Sequence, residues 1–576
     1  MRFLFKINPK KYIFWSFFIQ LMLFGLAFII ILKLGYLQII QGADLKKRAG
    51  INRQLGKGVS FRGEIFDRNG VRLAGDTTIY DIYAHPQYYL DDKGPKIIAP
   101  ILAKYLRQPE GKLLEKLSNN EYSTISIAKN VDIDTVEKKL KPEIALQKIR
   151  GLDFVKKSKR VYPQENLASH ILGYMNFDAK IAAGVERTGH TNLASLPEIK
   201  PVEYDGRGNM IYDFNTDPAK VTEPLKGGKL VLTIDSSIQH VAEIELSKMA
   251  KKTKSDRGVV IVLNPKNGEM LGFAVYPSYN PNKYNSYNLS IIKNWSLSDV
   301  YPPGSTFKIL TVASALETGS ITENERVDDT GKIKIQGWEI KNHDYYKDPN
   351  PGIIDLVTLF KQSSNVGSIK IAFKMPPYEH HKMLTLFGIG SKTGIDLPGE
   401  SPGILPEADK WDKITQASIS FGYNVAATPV QIASAVAAIA NDGVWVTPHV
   451  IQRSSNDTRI KRIQILSPET CKTMTRLLAR SIETSDSTVG KIPKYRVAGK
   501  TGTSKKPNSS GKGYSDSGNY TSFIGYFPAS DPKVLIMVVL DNPKTGNTWG
   551  STTAGPVFNA VATEVGRILD LVPDKK

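Results

Sequence analysis

Cysteine is almost missing from this chain: Cys471 stands alone among 576 residues, which excludes an internal disulfide and any multi-cysteine metal centre. An oxidising compartment would therefore do the chain little harm. Histidine is sparse as well, with eight residues dispersed apart from His380-His381, and no His-Glu-x-x-His occurs. No metal site and no cofactor is expected, and the histidine pair reads as a solvated helix face. Also absent is any concentrated basic run. The formal net charge is +20, yet Lys and Arg are scattered from Arg2 to Lys576 without a nucleic-acid-binding signature. That excess suits general attraction to anionic surfaces, such as a membrane or a wall polymer, and no nucleic-acid partner is expected.

Only one stretch is long and apolar. From Tyr12 to Leu32 there is no charge, and that length matches one bilayer crossing of about 20 residues. Lys33-Leu34-Gly35-Tyr36 follows in place of a small-x-small cleavage site, so an uncleaved anchor is expected. Arg2, Lys6, Lys10 and Lys11 favour a cytoplasmic N-terminus, although Lys33 and Lys46-Lys47-Arg48 stand on the other side. The reading is a cytoplasmic tail over residues 1–11, a transmembrane helix over 12–32, and the remaining mass beyond the membrane.

After the anchor come strand-like pieces and turns, among them Gly63 to Gly70, where Asn69-Gly70 signals a hairpin. A helical, charged segment is expected between about Lys96 and Lys141. Pro224 with Gly227-Gly228 marks a linker, giving a domain over 33–225 and another over 226–576. In the second, Leu230 to Ile234 reads as a strand, and Asp235 caps a helix whose buried face carries Ile238, Val241, Ala242, Leu246 and Met249. Gly258 to Leu263 and Met270 to Val275 flank Asn267-Gly268 as a hairpin. Strands return at Tyr495–Thr503, Tyr520–Phe527 and Val534–Leu540, and a helix from about Pro556 to Leu571 follows. Between the two sets lies a mostly helical insert containing Thr428-Pro429-Val430-Gln431, a capping pattern. The segment Lys505 to Asn519 reads as a mobile hairpin tip. Strands split by helices imply one α/β domain with an all-helical lobe inserted and a site between the lobes.

Three short motifs carry chemistry. Pro302-Pro303-Gly304 stops the chain before Ser305, which opens a helix with Lys308 on the same face. A neutral lysine can be the base that a serine nucleophile needs, and free N–H groups at a helix start favour a developing oxyanion. Ser-x-x-Lys alone is cheap, since Ser126/Lys129, Ser290/Lys293, Ser509/Lys512 and Ser530/Lys533 also fit it. Farther on stand Ser363-Ser364-Asn365, and Lys500-Thr501-Gly502-Thr503 at the end of an apolar strand. Ser363 can relay a proton, and Asn365 offers a donor and an acceptor to a peptide. Lys500 offers charge for a carboxylate, and Gly502 clears the strand for an extended substrate. A phosphate-loop reading of Gly499-Lys500-Thr501 fails because Lys494 occupies the position of the required glycine.

In this order the motifs make the chain resemble a class B penicillin-binding protein, a monofunctional peptidoglycan transpeptidase whose SxxK, SxN and KTG motifs fall on Ser305/Lys308, Ser363/Asn365 and Lys500/Thr501/Gly502. Arg62 to Gly70 and Gly184-Val185-Glu186 resemble that family's N-terminal module, and Ser420-Phe421-Gly422-Tyr423 resembles the division-specific branch. The sequence departs from the family at 187–195 and at Ser504, where Ala is usual and which is taken to lie on the rim of the site. The resemblance implies a serine β-lactamase-like fold, an antiparallel sheet with helices on both faces plus a helical lobe, behind an elongated non-catalytic pedestal. It implies peptidoglycan stem peptides ending in D-Ala-D-Ala as substrate, β-lactams as inhibitors, and a polytopic glycan polymerase and divisome proteins as partners.

In the mechanism it implies, Lys308 takes the Ser305 proton and Ser363 returns one to the leaving D-Ala. The N–H groups of Ser305 and Thr503 form the oxyanion hole. Lys500, Thr501 and Thr503 hold the substrate carboxylate, and Asn365 fixes its amide. Keeping Lys308 neutral at pH 7 costs about 4–5 kcal/mol; burial and the like charge of Lys500 act in that direction. An elongation-type transpeptidase, a carboxypeptidase or β-lactamase of the same fold, and a β-lactam sensor or scaffold stay open as alternatives.

Overall fold

The computed structural model of the chain describes residues 9–41, 55–56, 60–89, 94–176, 183–195, 200–201, 203–204, 210–211, 225–508 and 513–575. Two compact units emerge, Met1–Phe61 with Ser195–Lys226, and Arg62–Ala194 with Gly227–Lys576.

The first unit carries a helix over Pro9–Gly35 that runs on through a wider turn, Tyr36–Ile40. Residues Ile13–Ile40 form the one described helix long and apolar enough to cross a membrane, and its side chains are buried against nothing in the protein. Short strand pairs complete the unit: Leu55–Gly56 with Lys200–Pro201, Ser60–Phe61 with Leu225–Lys226, and Glu203–Tyr204 with Met210–Ile211. Residues 1–8 of the expected tail lie outside the described residues.

In the second unit, the long strand Arg72–Ala84 pairs with Leu152–Val161 on one side and Ile125–Asp132 on the other. It follows Ile65–Phe66 after the expected turn at Asn69-Gly70. The helices Gly94–Leu106 and Glu110–Ser118 bury Ile98, Leu102, Leu113 and Leu117 against Tyr80 and Ile82. The segment Lys96–Lys141 is thus not wholly helical. Alternating Ile125-Ser126-Ile127 forms a strand that buries Ile127, and β-favouring alternation overrides the surrounding charge. Beside this sheet, fully buried Glu186 accepts from Arg62 Nε at 2.5 Å, Arg160 Nε at 2.6 Å and the Tyr162 hydroxyl at 3.1 Å.

The larger part of the unit is built on five antiparallel strands: β1 (Arg257–Leu263), β2 (Met270–Tyr276), β3 (Ala498–Pro507), β4 (Tyr514–Phe527) and β5 (Val534–Asp541). Their order is β2-β1-β5-β4-β3, which leaves β3 at an edge. The runs Val259 to Leu263 and Val534 to Leu540 are buried throughout because helices cover both faces of the sheet. On one face lie α1 (Ser236–Thr253) and the last helix, Ala554–Ile568, where Ile238, Leu246, Phe558 and Val561 meet Val260 and Val538. On the other lies the helical insert: α2 (Lys308–Glu317), α3 (Leu356–Gln362), α4 (Asn365–Ala372), α5 (Pro429–Ala440) and α6 (Pro468–Glu483). Leu310, Val436 and Met474 pack there against Ile261 and Val539.

Local signals act as expected where a side chain satisfies a free helix end. Asp235 accepts from the N–H groups of Ser237 and Ile238, and Thr428 with Gln431 forms a capping box on α5. Boundaries move where tertiary contacts intervene. The strand expected from Leu230 is regular only over Leu230–Val231, and β3 starts at Ala498 because Ile492 and Tyr495 close a small bridge before it. Pairing of β3 with β4 continues to Pro507 opposite Tyr514, with Lys506 Nζ 2.6 Å from Asp541, so the described flanks of the expected mobile tip are strand; residues 509–512 lie outside the described residues. His380 is buried, not solvated. It lies on the inner face of the helix Pro377–Leu386 beside Met383 and Leu384, edge-on to Trp411 at 5.5 Å.

The Glu186 knot makes a quantitative prediction. Glu186→Ala takes the carboxylate from the buried Arg62 guanidinium and leaves Arg160 with Asp76 alone, and should cost about 3–5 kcal/mol. Asp134→Ala, which opens the exposed Lys138–Asp134 pair, should cost under about 0.5 kcal/mol. Urea unfolding of both variants measures the difference, and equal losses would contradict it.

Candidate active site

Ser305 stands on a tight turn, Gly304–Phe307, that precedes α2, so the helix begins one turn later than the sequence implies. The turn is wedged between two backbones. Gly304 N–H donates to the Gly422 carbonyl at 3.2 Å, and a Cβ on Gly422 would fall 2.3 Å from the Gly304 oxygen. From the other side Ser504, buried, donates to the Pro302 carbonyl at 2.6 Å. The serine that departs from family habit is therefore not on the rim: it ties β3 to the chain entering the nucleophile turn. Gly502 also has a reason beyond the one expected. A Cβ there would lie 2.4 Å from Ser522 Oγ and 3.0 Å from the Thr306 methyl, so glycine lets β3 approach the turn that carries Ser305.

Lys308 begins α2 and is wholly buried. Its Nζ donates to the Ser363 carbonyl at 2.5 Å and to Asn365 Oδ1 at 2.8 Å, and lies 3.2 Å from Ser363 Oγ. None of the hydrogen bonds described for it runs to Ser305. Burial first, then the charge of Lys500, hold the Lys308 ammonium well below the ordinary lysine pKa; Asp329 and Asp344 oppose this only in part. Lys500, on β3, is 4 % exposed, and burial brings its pKa down to about 7. Its Nζ lies 3.3 Å from the Thr501 carbonyl.

The middle motif is a break between two helices. Ser363 ends α3 in the left-handed region, φ 57°, and Ser364 caps α4 by accepting from the Gly367 N–H. Left-handed backbone costs a non-glycine residue on the order of 1 kcal/mol, and a buried polar network supports it here. Ser364 donates to Asp329, which also accepts from Asn342 Nδ2 at 2.9 Å and the Gly331 N–H at 2.8 Å. Asn342 Oδ1 receives the Asn365 N–H at 2.8 Å and the Val366 N–H at 3.1 Å. Asn365 thus has both ends engaged inside the protein, Oδ1 on Lys308 and Nδ2 on the Lys341 carbonyl at 2.8 Å.

A cavity of about 750 Å³ opens over these motifs. Ser305, Ser363, Asn365, Thr501, Gly502 and Thr503 line it, whereas Lys308 and Lys500 lie behind its wall. All eight residues picked from the sequence therefore gather in one region. Sequence reasoning missed Asp329 and Asn342, which hold the middle motif, and the rim formed by His343, Asp344, Tyr346, Tyr423 and Trp549. An Asp two residues before a glycine, as in Asp329-Thr330-Gly331, was a usable turn signal for one of them. The Tyr423 hydroxyl accepts from the Lys505 N–H at 3.0 Å, fastening the Phe421-Gly422-Tyr423 segment to β3. A half-buried serine nucleophile and serine relay beside a buried lysine, facing a peptide-sized cleft, can perform acyl transfer through a serine ester.

Known proteins resemble the chain over most of its length. The penicillin binding protein transpeptidase domain matches residues 258–563, more than half of the chain, and the penicillin-binding protein dimerisation domain matches 58–232. The peptidoglycan D,D-transpeptidase FtsI of Escherichia coli is 30% identical over 559 residues, covering 96% of this chain and 91% of its own length. An FtsI homolog from Mesostigma viride is 31% identical, covering 94% and 93%. Among solved structures, penicillin-binding protein 2X from Streptococcus thermophilus superposes with a TM-score of 0.72 at 23% identity, covering 89% of this chain and 81% of that one, which is a likeness of fold. With that match over its catalytic half, the chain belongs to the penicillin-binding protein transpeptidase family.

Proposed function

We propose that this protein is a peptidoglycan D,D-transpeptidase of the division-specific type, which cross-links stem peptides through an acyl-enzyme on Ser305. The observation that carries the reading is the buried, uncharged environment of Lys308 next to a serine that opens onto a peptide-sized cleft. Relatives named FtsI support the septal assignment.

Lys308, neutral, donates its two hydrogens to the Ser363 carbonyl and Asn365 Oδ1, which leaves its lone pair for the proton of Ser305 or Ser363. Ser305 Oγ attacks the carbonyl of the penultimate D-Ala. The amide C–N bond breaks, and the proton passes through Ser363 to the departing D-Ala amine. Thr501 and Thr503, whose side chains face the cleft, hold the terminal carboxylate. Lys500 adds to this from behind as a charge and depresses Lys308 at the same time. The N–H groups of Ser305 and Thr503 stabilise the oxyanion, each worth roughly 100 to 1000-fold. An amine from a second stem peptide then displaces Ser305. β-Lactams acylate the same oxygen and stall there.

The apolar N-terminal helix is a single-pass anchor with a cytoplasmic N-terminus, so the catalytic domain works on the wall side. The segment 33–225 serves as a non-catalytic pedestal for the transpeptidase domain, 226–576, and it and the anchor engage a polytopic glycan polymerase and other divisome proteins.

Ser305→Ala should abolish covalent labelling by a fluorescent penicillin, with labelling of wild type stable to denaturing electrophoresis; equal labelling of the variant would refute the assignment. The acylation rate against pH tests the lysine pair. Acylation needs neutral Lys308, so its rate rises with pH through the Lys308 titration. Lys500→Met removes the neighbouring positive charge, lets the Lys308 pKa climb toward its ordinary value, and should move the acid limb to higher pH. An acid limb that stays in place or moves down would contradict the coupling.

A further inference from the structure

The groups around the cleft are unbalanced in charge. Lys347 and Lys505 line it, and Lys308 and Lys500 stand behind its wall, an arrangement that favours a substrate carboxylate. Among the described residues one carboxylate faces the same space: Asp344, on the loop after the strand Trp338–Lys341. No hydrogen bond is described for its side-chain oxygens. The nearest cationic group described is His343 Nδ1 at 3.8 Å. Burial lowers the His343 pKa first, and Lys308, Lys500 and Lys347 add to this against the pull of Asp344, so the imidazole is neutral at pH 7 and does not cancel the acid. Asp329, the other acid nearby, is consumed by Ser364, Asn342 and Gly331. Asp344 lines the same cavity as Ser305, and its charge also acts on Lys308.

A carboxylate that lines a positive cleft, three-quarters buried and with no side-chain hydrogen bond described, is placed to receive a cation that arrives with a substrate. We infer that Asp344 is the anchor for the acyl acceptor, binding the ammonium of the incoming primary amine and delivering it to the Ser305 ester. This rests on the transpeptidase reading and names the second substrate's chemistry. The bound ammonium releases one proton to solvent. Its nitrogen then forms the new C–N bond as the carbonyl carbon–Oγ bond of Ser305 breaks, and the remaining extra proton passes through Lys308 to Ser305 Oγ. Water and neutral nucleophiles use the ester without help from Asp344.

The test follows the acyl-enzyme formed from a peptide thioester and partitioned between water and an added acceptor. Asp344→Asn, isosteric and uncharged, should lower the aminolysis-to-hydrolysis ratio with a lysine-bearing peptide about tenfold or more, through a raised acceptor KM. With hydroxylamine, uncharged at neutral pH, the ratio should change less than about twofold. Asp344→Glu should recover most of the loss. Equal loss with both nucleophiles, or no loss with the peptide amine, overturns the assignment. Absence of any thioester turnover in the wild-type protein would instead overturn the transpeptidase reading on which it rests.

Discussion

A lysine buried in a domain core must either find an opposite charge or give up its proton, and the three partners around Lys308 Nζ are a carbonyl, a hydroxyl and an amide oxygen, none of them charged. With Lys500 adding a second cation nearby, the balance falls on the neutral amine, and holding it there costs the solvation that a lysine has in water. That cost is met by the fold. Helix α2 delivers Lys308 from the same segment that carries Ser305, the α3–α4 break brings Ser363 and Asn365 to it, and β3 brings Lys500 and the threonines. Three separate stretches of chain must be in register for one amine to act as a base.

Much of the remaining architecture serves that register. Gly422 and Gly502 let two backbones close on the nucleophile turn from opposite sides, and Ser504 adds a hydrogen bond where a rim contact was expected. Asp329 and Asn342 hold Ser364 and Asn365, the two residues that follow Ser363 and its left-handed backbone. The sheet gains its rigidity from burial on both faces, so these small adjustments ride on strands that cannot slide without emptying a core.

The sequence made the sheet legible because doubly buried strands appear as unbroken apolar runs, and Asn267-Gly268 and Asp235 mark a turn and a cap through purely local chemistry. The three motifs were equally legible, since each residue type already states its chemical role. Contacts between distant stretches were not. Asp329 and Asn342 are ordinary polar residues until the fold sets them against Ser364, more than twenty positions away. Ser504 gives no local sign of being buried, and Gly502 looks like room for substrate until Thr306 is placed against it. His380 carries the helix period of a core residue, yet its polarity suggested solvent.

The protonation state of Lys308 is the most direct measure of this account. With lysine labelled by ¹³C at Cε, the chemical shift of Lys308, assigned by Lys308→Arg, should titrate well below the ordinary lysine range and show a neutral amine at pH 7. A shift of a charged ammonium at pH 7, titrating near 10.4, would contradict the claim that burial, with Lys500 nearby, readies this lysine to take the proton of Ser305.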